Sequence, residues 1–192
     1  MKYKIKRNLH TDFSVFEENK LPARSYFIPF SDETALDGSD YKNDRYQSNR
    51  TVMLSGEWDF AYYKKISEVP DPFDSEKVRF DKVVTPSTWQ RTGYDRIAYI
   101  NTRYPFPKKP PKIPEDVATG IYRKTVSLPQ SARQIITFLG VAGALALYVN
   151  GAYVGYSEGS HNAAEFDITS LTAEGENEIV AVVYKWSNGT YL

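Results

Sequence analysis

From Thr51 onward the chain is cut into short apolar or alternating segments, each bounded by Gly, Pro or Asn, and this rhythm limits the fold more than any other feature. The segments are 56–63, 78–84, 120–127, 134–139, 144–149, 152–156, 164–168 and 176–186. Strands so punctuated predict an all-β chain folded as a β-sandwich. The sharpest local signal is Tyr148-Val149-Asn150-Gly151-Ala152-Tyr153-Val154. Asn-Gly is the preferred two-residue hairpin turn, and alternating side chains flank it. Phe166 to Leu171, followed by Gly175-Glu176-Asn177, reads as strand, short helical turn, Gly-containing turn and final strand.

Residues 1–50 lack any sustained period of 2 or 3.6, and 31–50 is rich in Asp, Ser, Asn and Lys. The expectation is an extended N-terminal arm over 1–50 beside a domain over 51–192, pinned locally by Phe13, Val15, Phe16 and Tyr26-Phe27-Ile28-Pro29-Phe30. Pro105, Pro107, Pro110, Pro111 and Pro114 predict an extended, polyproline-like crossing segment.

Charge is balanced at 24 Lys+Arg against 24 Asp+Glu, so no global field points to nucleic acid or an anionic membrane. Lys108, Lys109 and Lys112 read as a solvated loop. The longest apolar run, 135–149, is broken by Thr137, Gly140 and Gly143 and falls short of the roughly 20 residues that span a bilayer. Cysteine is absent, which removes disulfides and thiolate chemistry. A basic N-terminus with no apolar stretch behind it is not a secretory signal, so a cytoplasmic location is expected. Tyr outnumbers Phe, 15 to 10, which suits an interface or a sugar site as well as an edge-rich β fold.

Gly155-Tyr156-Ser157-Glu158-Gly159 matches G-x-S-x-G literally, with His161 two residues beyond. The nucleophile elbow needs a strand-to-helix turn and a distant His. Here the motif ends a predicted hairpin, so Ser157 is not read as a nucleophile. Glu57 and Asp59 share a strand face and could mimic paired glycosidase carboxylates. Trp58 and Phe60 take the opposite, buried face, which leaves the carboxylates on an ordinary solvent face. His10 and His161 lack ligand-type neighbours, which predicts no metal site, and no P-loop or G-x-G-x-x-G is present.

The richest ligand chemistry lies in Pro86-Ser87-Thr88-Trp89-Gln90, Gly93-Tyr94-Asp95 and Tyr99-Ile100-Asn101. Aromatic rings stack on the apolar face of a pyranose, and amides match vicinal hydroxyls. Alternation assigns Trp58 and Trp186 to the core. Trp89 reads equally as a stacking platform or an anchor, and Asn101 as a loop amide placed for a ligand.

In order, Leu54-Ser55-Gly56-Glu57-Trp58-Asp59-Phe60, Val84 to Gln90, Gly93-Tyr94-Asp95, Tyr99-Ile100-Asn101, Tyr104-Pro105, Thr119 to Arg123, Val149-Asn150-Gly151, Glu165-Phe166-Asp167 and Trp186 to Leu192 resemble the N-terminal sugar-binding domain of glycoside hydrolase family 2. β-Glucuronidases and β-mannosidases share the Gly-Glu-Trp strand. The Trp-Gln, Gly-Tyr-Asp, Tyr-x-Asn and Tyr-Pro series resembles the β-galactosidases of the LacZ type. The resemblance implies a jelly-roll, galactose-binding-domain-like sandwich in an enzyme that hydrolyses terminal β-D-galactose residues with retention. It places both catalytic Glu and the magnesium ligands in a barrel further along, so it implies no catalytic or metal-binding residue in this chain. A sodium-binding acidic segment is implied just beyond Leu192. It assigns Asn101 to the galactose site and Thr102 to a backbone contact there. His161 departs from the Arg common at its position. The implied partners are a β-galactoside, the remaining domains of the same polypeptide and further copies in a homo-oligomer. A free-standing carbohydrate-binding module and the first domain of a β-glucuronidase or β-mannosidase are the alternatives.

Overall fold

The computed structural model describes residues 1–99, 103–107 and 109–191. They form two compact units, Met1–Pro22 with Gly56–Leu192, and Ala23–Ser55. In the first lie strands β1 (Lys2–Tyr3), β2 (Glu17–Glu18), β3 (Gly56–Tyr63), β4 (Phe73–Asp74), β5 (Asp81–Thr85), β6 (Thr119–Leu128), β7 (Ile135–Phe138), β8 (Ala144–Val149), β9 (Ala152–Glu158), β10 (Ala164–Asp167) and β11 (Gly175–Tyr184). Seven form one antiparallel sheet in the order β2-β9-β8-β11-β6-β3-β5, accompanied by the ribbons β1-β4 and β7-β10. This is the jelly-roll-like β-sandwich that the strand rhythm and the resemblance predict.

β3 and β8 match segments 56–63 and 144–149 end to end. β5 starts only at Asp81, because the Lys77 and Val78 N–H groups turn back to Asp74 O. Asn150 (φ 49°) and Gly151 (φ 87°) form the left-handed hairpin turn between β8 and β9. Asn150 Nδ2 also donates to Leu171 O and Asn177 Oδ1, and its Oδ1 accepts from Glu178 N, so the turn is tied to the start of β11.

Every residue of β8 is buried, as are Ile179 to Tyr184 of β11, so the sheet needs cover on both faces. On one face Ala144, Ala146, Tyr148, Val180, Val182 and Tyr184 pack with Tyr3, Ile5, Leu9, Ile66 and Phe73. Register places Leu145, Leu147, Ala181 and Gly155 on the other. There β10 closes in: a Cβ on Gly155 would stand 2.8 Å from the Phe166 ring and 2.4 Å from Glu18 O.

Two expectations are corrected. The arm read over 1–50 is divided, and Met1–Pro22 belongs to the sandwich. Tyr3, Ile5, Leu9 and His10 are buried, and β2 pairs with β9. Single core contacts spaced along an irregular strap leave no period to detect. Ala23–Ser55 is a separate unit whose one helix among the described residues, α1 (Glu33–Asp37), is capped by Asp32. The proline-rich segment is not extended throughout. Lys112 N donates to Lys109 O at 2.8 Å, which puts Pro110-Pro111 inside a tight turn with Lys109 and Lys112 exposed. Lys108 lies outside the described residues. Among those residues no helix is long and apolar enough to cross a membrane.

His10 is 1% exposed, stacks on Tyr184 at 5.1 Å and donates from Nε2 to Glu115 O. Burial pushes its pKa down, outweighing the nearby acceptors. Its folded pKa therefore lies below the unfolded value of about 6.5, and the unfolded chain takes up a proton that the folded chain refuses. The His10 contribution is complete above that pH and is lost as pH falls towards the folded pKa, by up to about 1.4 kcal/mol per pH unit. Urea unfolding at pH 7.5 and 5.5 should show a larger loss for the wild type than for His10→Phe. Equal losses would mean that His10 titrates freely.

Candidate functional site

β3 lays Trp58, Phe60 and Tyr62 on one face and Glu57, Asp59 and Ala61 on the other. The carboxylate face is not simply solvent. Asp59 bonds Arg123 Nε at 2.9 Å and Lys82 Nζ at 2.7 Å, and Lys82 also reaches Glu57 at 3.1 Å. Desolvation pushes the Asp59 carboxyl up, but hydrogen bonds from Lys82 and Arg123 outweigh it and hold the pKa below the ordinary value. A carboxylate kept ionised by two cations is unsuited to general-acid work. Ser157 lies within β9, 8% exposed, with its hydroxyl turned to Glu158 O. It stands on no strand-to-helix turn, and His161 is exposed. The esterase-like match is a coincidence of letters.

Trp58 and Phe60 are buried as expected, and the loop after β5 supplies the cover of Phe60. That loop tightens into a turn in which Thr92 N and Tyr94 N both donate to Trp89 O, with Gly93 left-handed at φ 92°. The turn drives Trp89 inward to 6% exposure, stacked on Phe60 at 6.2 Å and edge-on to Tyr62 at 5.8 Å. Trp89 Nε1 has no hydrogen-bond partner among the described residues, so ring packing holds it. Tyr94 meets Phe60 edge-on at 4.9 Å and donates its hydroxyl to Asp81 at 2.8 Å. Of the two readings of Trp89, anchor is the one realised.

Asp95 then bonds Lys185 Nζ at 2.6 Å and accepts from Arg96 N at 2.7 Å. Burial, with Asp95 beside it, pushes the Tyr62 phenol up to about 12, so Tyr62 stays protonated as a donor. Beyond Asp95 the loop turns outward, leaving Ile97 67% and Tyr99 75% exposed. Asn101 and Thr102, the two residues assigned to the sugar, lie outside the described residues, as does Ile100. The chain is described again from Arg103 to Pro107. Tyr104 packs on Tyr191 at 4.8 Å, and Phe106 meets Trp186 edge-on at 5.4 Å.

Lys185, Trp186 and Tyr191 follow directly on β11 and hold both limbs of the loop. Sequence reasoning assigned Trp186 to the core and gave Lys185 and Tyr191 no role. Nothing local reveals that Lys185 meets a carboxylate 90 positions earlier. The density of aromatics between Tyr104 and Phe106 was the one available hint.

Residues 51–192 match the family model for the sugar binding domain of the glycosyl hydrolases family 2. The β-galactosidase of Actinobacillus pleuropneumoniae is 38% identical over 96% of this chain, which spans 18% of that relative. That of Alteromonas mediterranea is 44% identical over 73% of the chain and 14% of the relative, and that of Staphylococcus xylosus 35% identical over 98% and 19%. The chain thus spans under a fifth of the length of the curated relatives it matches. Among solved structures, the β-glucuronidase of Bifidobacterium dentium complexed with coumarin-3-O-glucuronide superposes with a TM-score of 0.51 at 20% identity, covering 68% of this chain and 19% of that one. A Ruminococcus gnavus β-glucuronidase gives 0.51 at 18% identity, covering 68% and 21%. These two likenesses are of fold.

Gly120 lies beneath the Trp89 ring: a Cβ there would stand 2.5 Å from Trp89 Cζ3 and 2.7 Å from Phe60 Cε2. Gly120→Ala should destabilise the sandwich by about 1–3 kcal/mol through overpacking. Tryptophan emission should shift to the red as Trp89 is displaced. An unchanged urea midpoint and spectrum would show that the ring is not held there.

Proposed function

The chain belongs to the family of glycosyl hydrolase family 2 sugar-binding domains, and we propose that it is the N-terminal, non-catalytic domain of a retaining β-galactosidase that hydrolyses terminal β-D-galactose residues. The observation that carries this reading is the match to β-galactosidases along nearly the whole chain, at 38% identity over 96% of it. The anchoring of Asp95 on Lys185 and of Tyr104 on Tyr191 supports it, since sugar-contacting groups work best on loops held by a rigid scaffold.

In this reading the bond-breaking steps belong to two Glu outside these residues, about 5 Å apart as retention requires. The domain's own contribution is to bind and orient. The Asn101 amide donates to and accepts from galactose hydroxyls, Thr102 offers its backbone, and the domain shapes one wall of the active site. Among the described residues no group of three or more His, Asp or Glu could hold a metal ion, and in this reading magnesium and sodium belong to the full-length enzyme. The remaining domains of the polypeptide, further copies of it in a homo-oligomer and a cytoplasmic location complete the proposal.

Asn101→Ala in the full-length enzyme should lower kcat/KM for an aryl β-galactoside by about 5- to 150-fold, the equivalent of one lost sugar hydrogen bond at about 1–3 kcal/mol. The purified 192-residue chain should turn over no aryl β-galactoside. An unchanged kcat/KM would remove Asn101 from the sugar site. Sugar binding by the chain alone, tighter than about millimolar, would favour a free-standing module.

A further inference from the structure

Glu158 closes β9 with a half-buried carboxylate turned to the short helical turn Asn188–Tyr191. Its Oε1 accepts from the Tyr156 hydroxyl at 2.7 Å and its Oε2 from Gly189 N at 2.8 Å, with the Ser187 hydroxyl and Asn188 N–H as further donors. No cation is among the groups that act on it. β8 sets Ala144 opposite it, and β11 sets the Tyr184 ring behind Tyr156. The acids of the N-terminal strap are engaged elsewhere, Asp12 on Ser14, Glu17 on Lys20, and Glu18 on Lys6 and Tyr153, while His161 is exposed. The other holds on the turn are neutral. Asn188 Nδ2 donates to Asp12 O, Ser187 N to Thr190 Oγ1 and the Tyr191 hydroxyl to Lys112 O, each at 2.9 Å, and the Tyr191 ring packs on Tyr104. Among the described residues Glu158 is thus the one hold on this turn whose charge changes in mild acid.

We propose that Glu158 is an acid-sensitive latch: ionised, it holds Gly189 N and with it the turn after β11, and protonated, it loosens that turn while the sandwich stays folded. The step is the uptake of one proton from solvent by one carboxylate oxygen. On Oε2 the proton faces the Gly189 N–H, and two donors cannot share the contact. On Oε1 it faces the Tyr156 hydroxyl, which must rotate and strand its own hydrogen on a side chain with 0% exposure. Either way the turn loses a charge-assisted bond, which is roughly twice as strong as a neutral one. Burial pushes the Glu158 pKa up, and the donors around it offset only part of that rise. The folded chain therefore takes up this proton at a higher pH than the unfolded chain, whose Glu titrates near about 4.3, so acid relieves a buried charge here rather than unfolding the domain. The latch does not depend on the sugar contacts proposed above.

Hydrogen exchange of the peptide 186–191, followed by mass spectrometry in the wild type and in Glu158→Gln, tests the latch. The amide reproduces the protonated acid, with one accepting and one donating group on the same frame. At pH 7.5 the variant should exchange about 5- to 30-fold faster than the wild type, and at pH 4 the two should agree within about twofold. His10 takes up its proton in both proteins and cancels in this ratio. Tyr191→Phe, which removes a neutral bond, should speed exchange by the same factor at both pH values. Tyr156→Phe takes one donor from the carboxylate, so the pH at which the wild-type protection fades should move upward, and this variant serves if Glu158→Gln does not fold. A ratio of Gln variant to wild type that is the same at pH 7.5 and pH 4 would make Glu158 an ordinary structural contact and overturn the latch. Equal exchange of the two at pH 7.5, or loss of the native circular dichroism of the wild type by pH 4, would overturn it as well.

Discussion

Two adjacent strands, β8 and β11, are apolar on both faces, and the rest of the domain is arranged to keep both faces dry. A strand buried on one side can leave the other to water, as antiparallel sheets often do. Here that option is closed, and cover must come from elsewhere in the chain. One face takes the N-terminal strap with its ribbon β1-β4. The other takes β10 where the sheet passes β9, and the Trp89 turn where it passes β3 and β6. The strap and the Trp89 loop are thus structural parts of the sandwich, although neither looks like a core element in sequence.

Tyrosine meets this demand without stranding polar atoms. Tyr3, Tyr148, Tyr156 and Tyr184 are all 1% exposed or less, and each hydroxyl has a defined partner. Tyr3 donates to Glu178, Tyr156 to Glu158 and Tyr184 to Lys6 O, while the Tyr148 hydroxyl accepts from Lys6 N. Burial drives these phenols well above their ordinary pKa, so they remain donors throughout the physiological range. The excess of Tyr over Phe, which composition leaves divided between a sugar site and a β fold, is largely used by the fold in this way. Each pair joins a ring in the core to a carboxylate, carbonyl or amide N–H at its margin. The sheet is bound to its covering segments by polar contacts as well as by packing.

The parts of this architecture that could be read from the sequence are those set by local chemistry. Asn150-Gly151 dictates its turn through positive φ, and β3 and β8 declare themselves by alternation or by unbroken apolar content. The parts that could not be read depend on distant pairings. Tyr3, Ile5 and Leu9 look like scattered apolar residues in a basic leader until β4, β8 and β11 are placed around them. Pro110-Pro111 looks extended until the bond between Lys109 and Lys112 closes a turn around it. The candidate site divides along the same line. Its aromatic content was plain, but whether Trp89 faces a ligand or the core turns on Gly120, which clears the space for the ring from another strand.

The stretch from Pro86 to Tyr99 therefore holds two halves with opposite duties. Trp89 and Tyr94 face inward, and their rings are consumed against Phe60 and Tyr62. After Asp95 the side chains turn outward, and Ile97 and Tyr99 are left to solvent on the described limb. An exposed loop of this kind would ordinarily sample many positions, and a ligand would then lose binding free energy in ordering it. Asp95 is held on Lys185, and Tyr104 and Phe106 on Tyr191 and Trp186, so the described ends of the loop are ordered before any ligand arrives. The aromatic residues that make the stretch look like a sugar site are thus spent on holding the loop. They give the described limb a fixed base: rings packed against Phe60 and Tyr62 hold its start on β3 while Ile97 and Tyr99 face solvent.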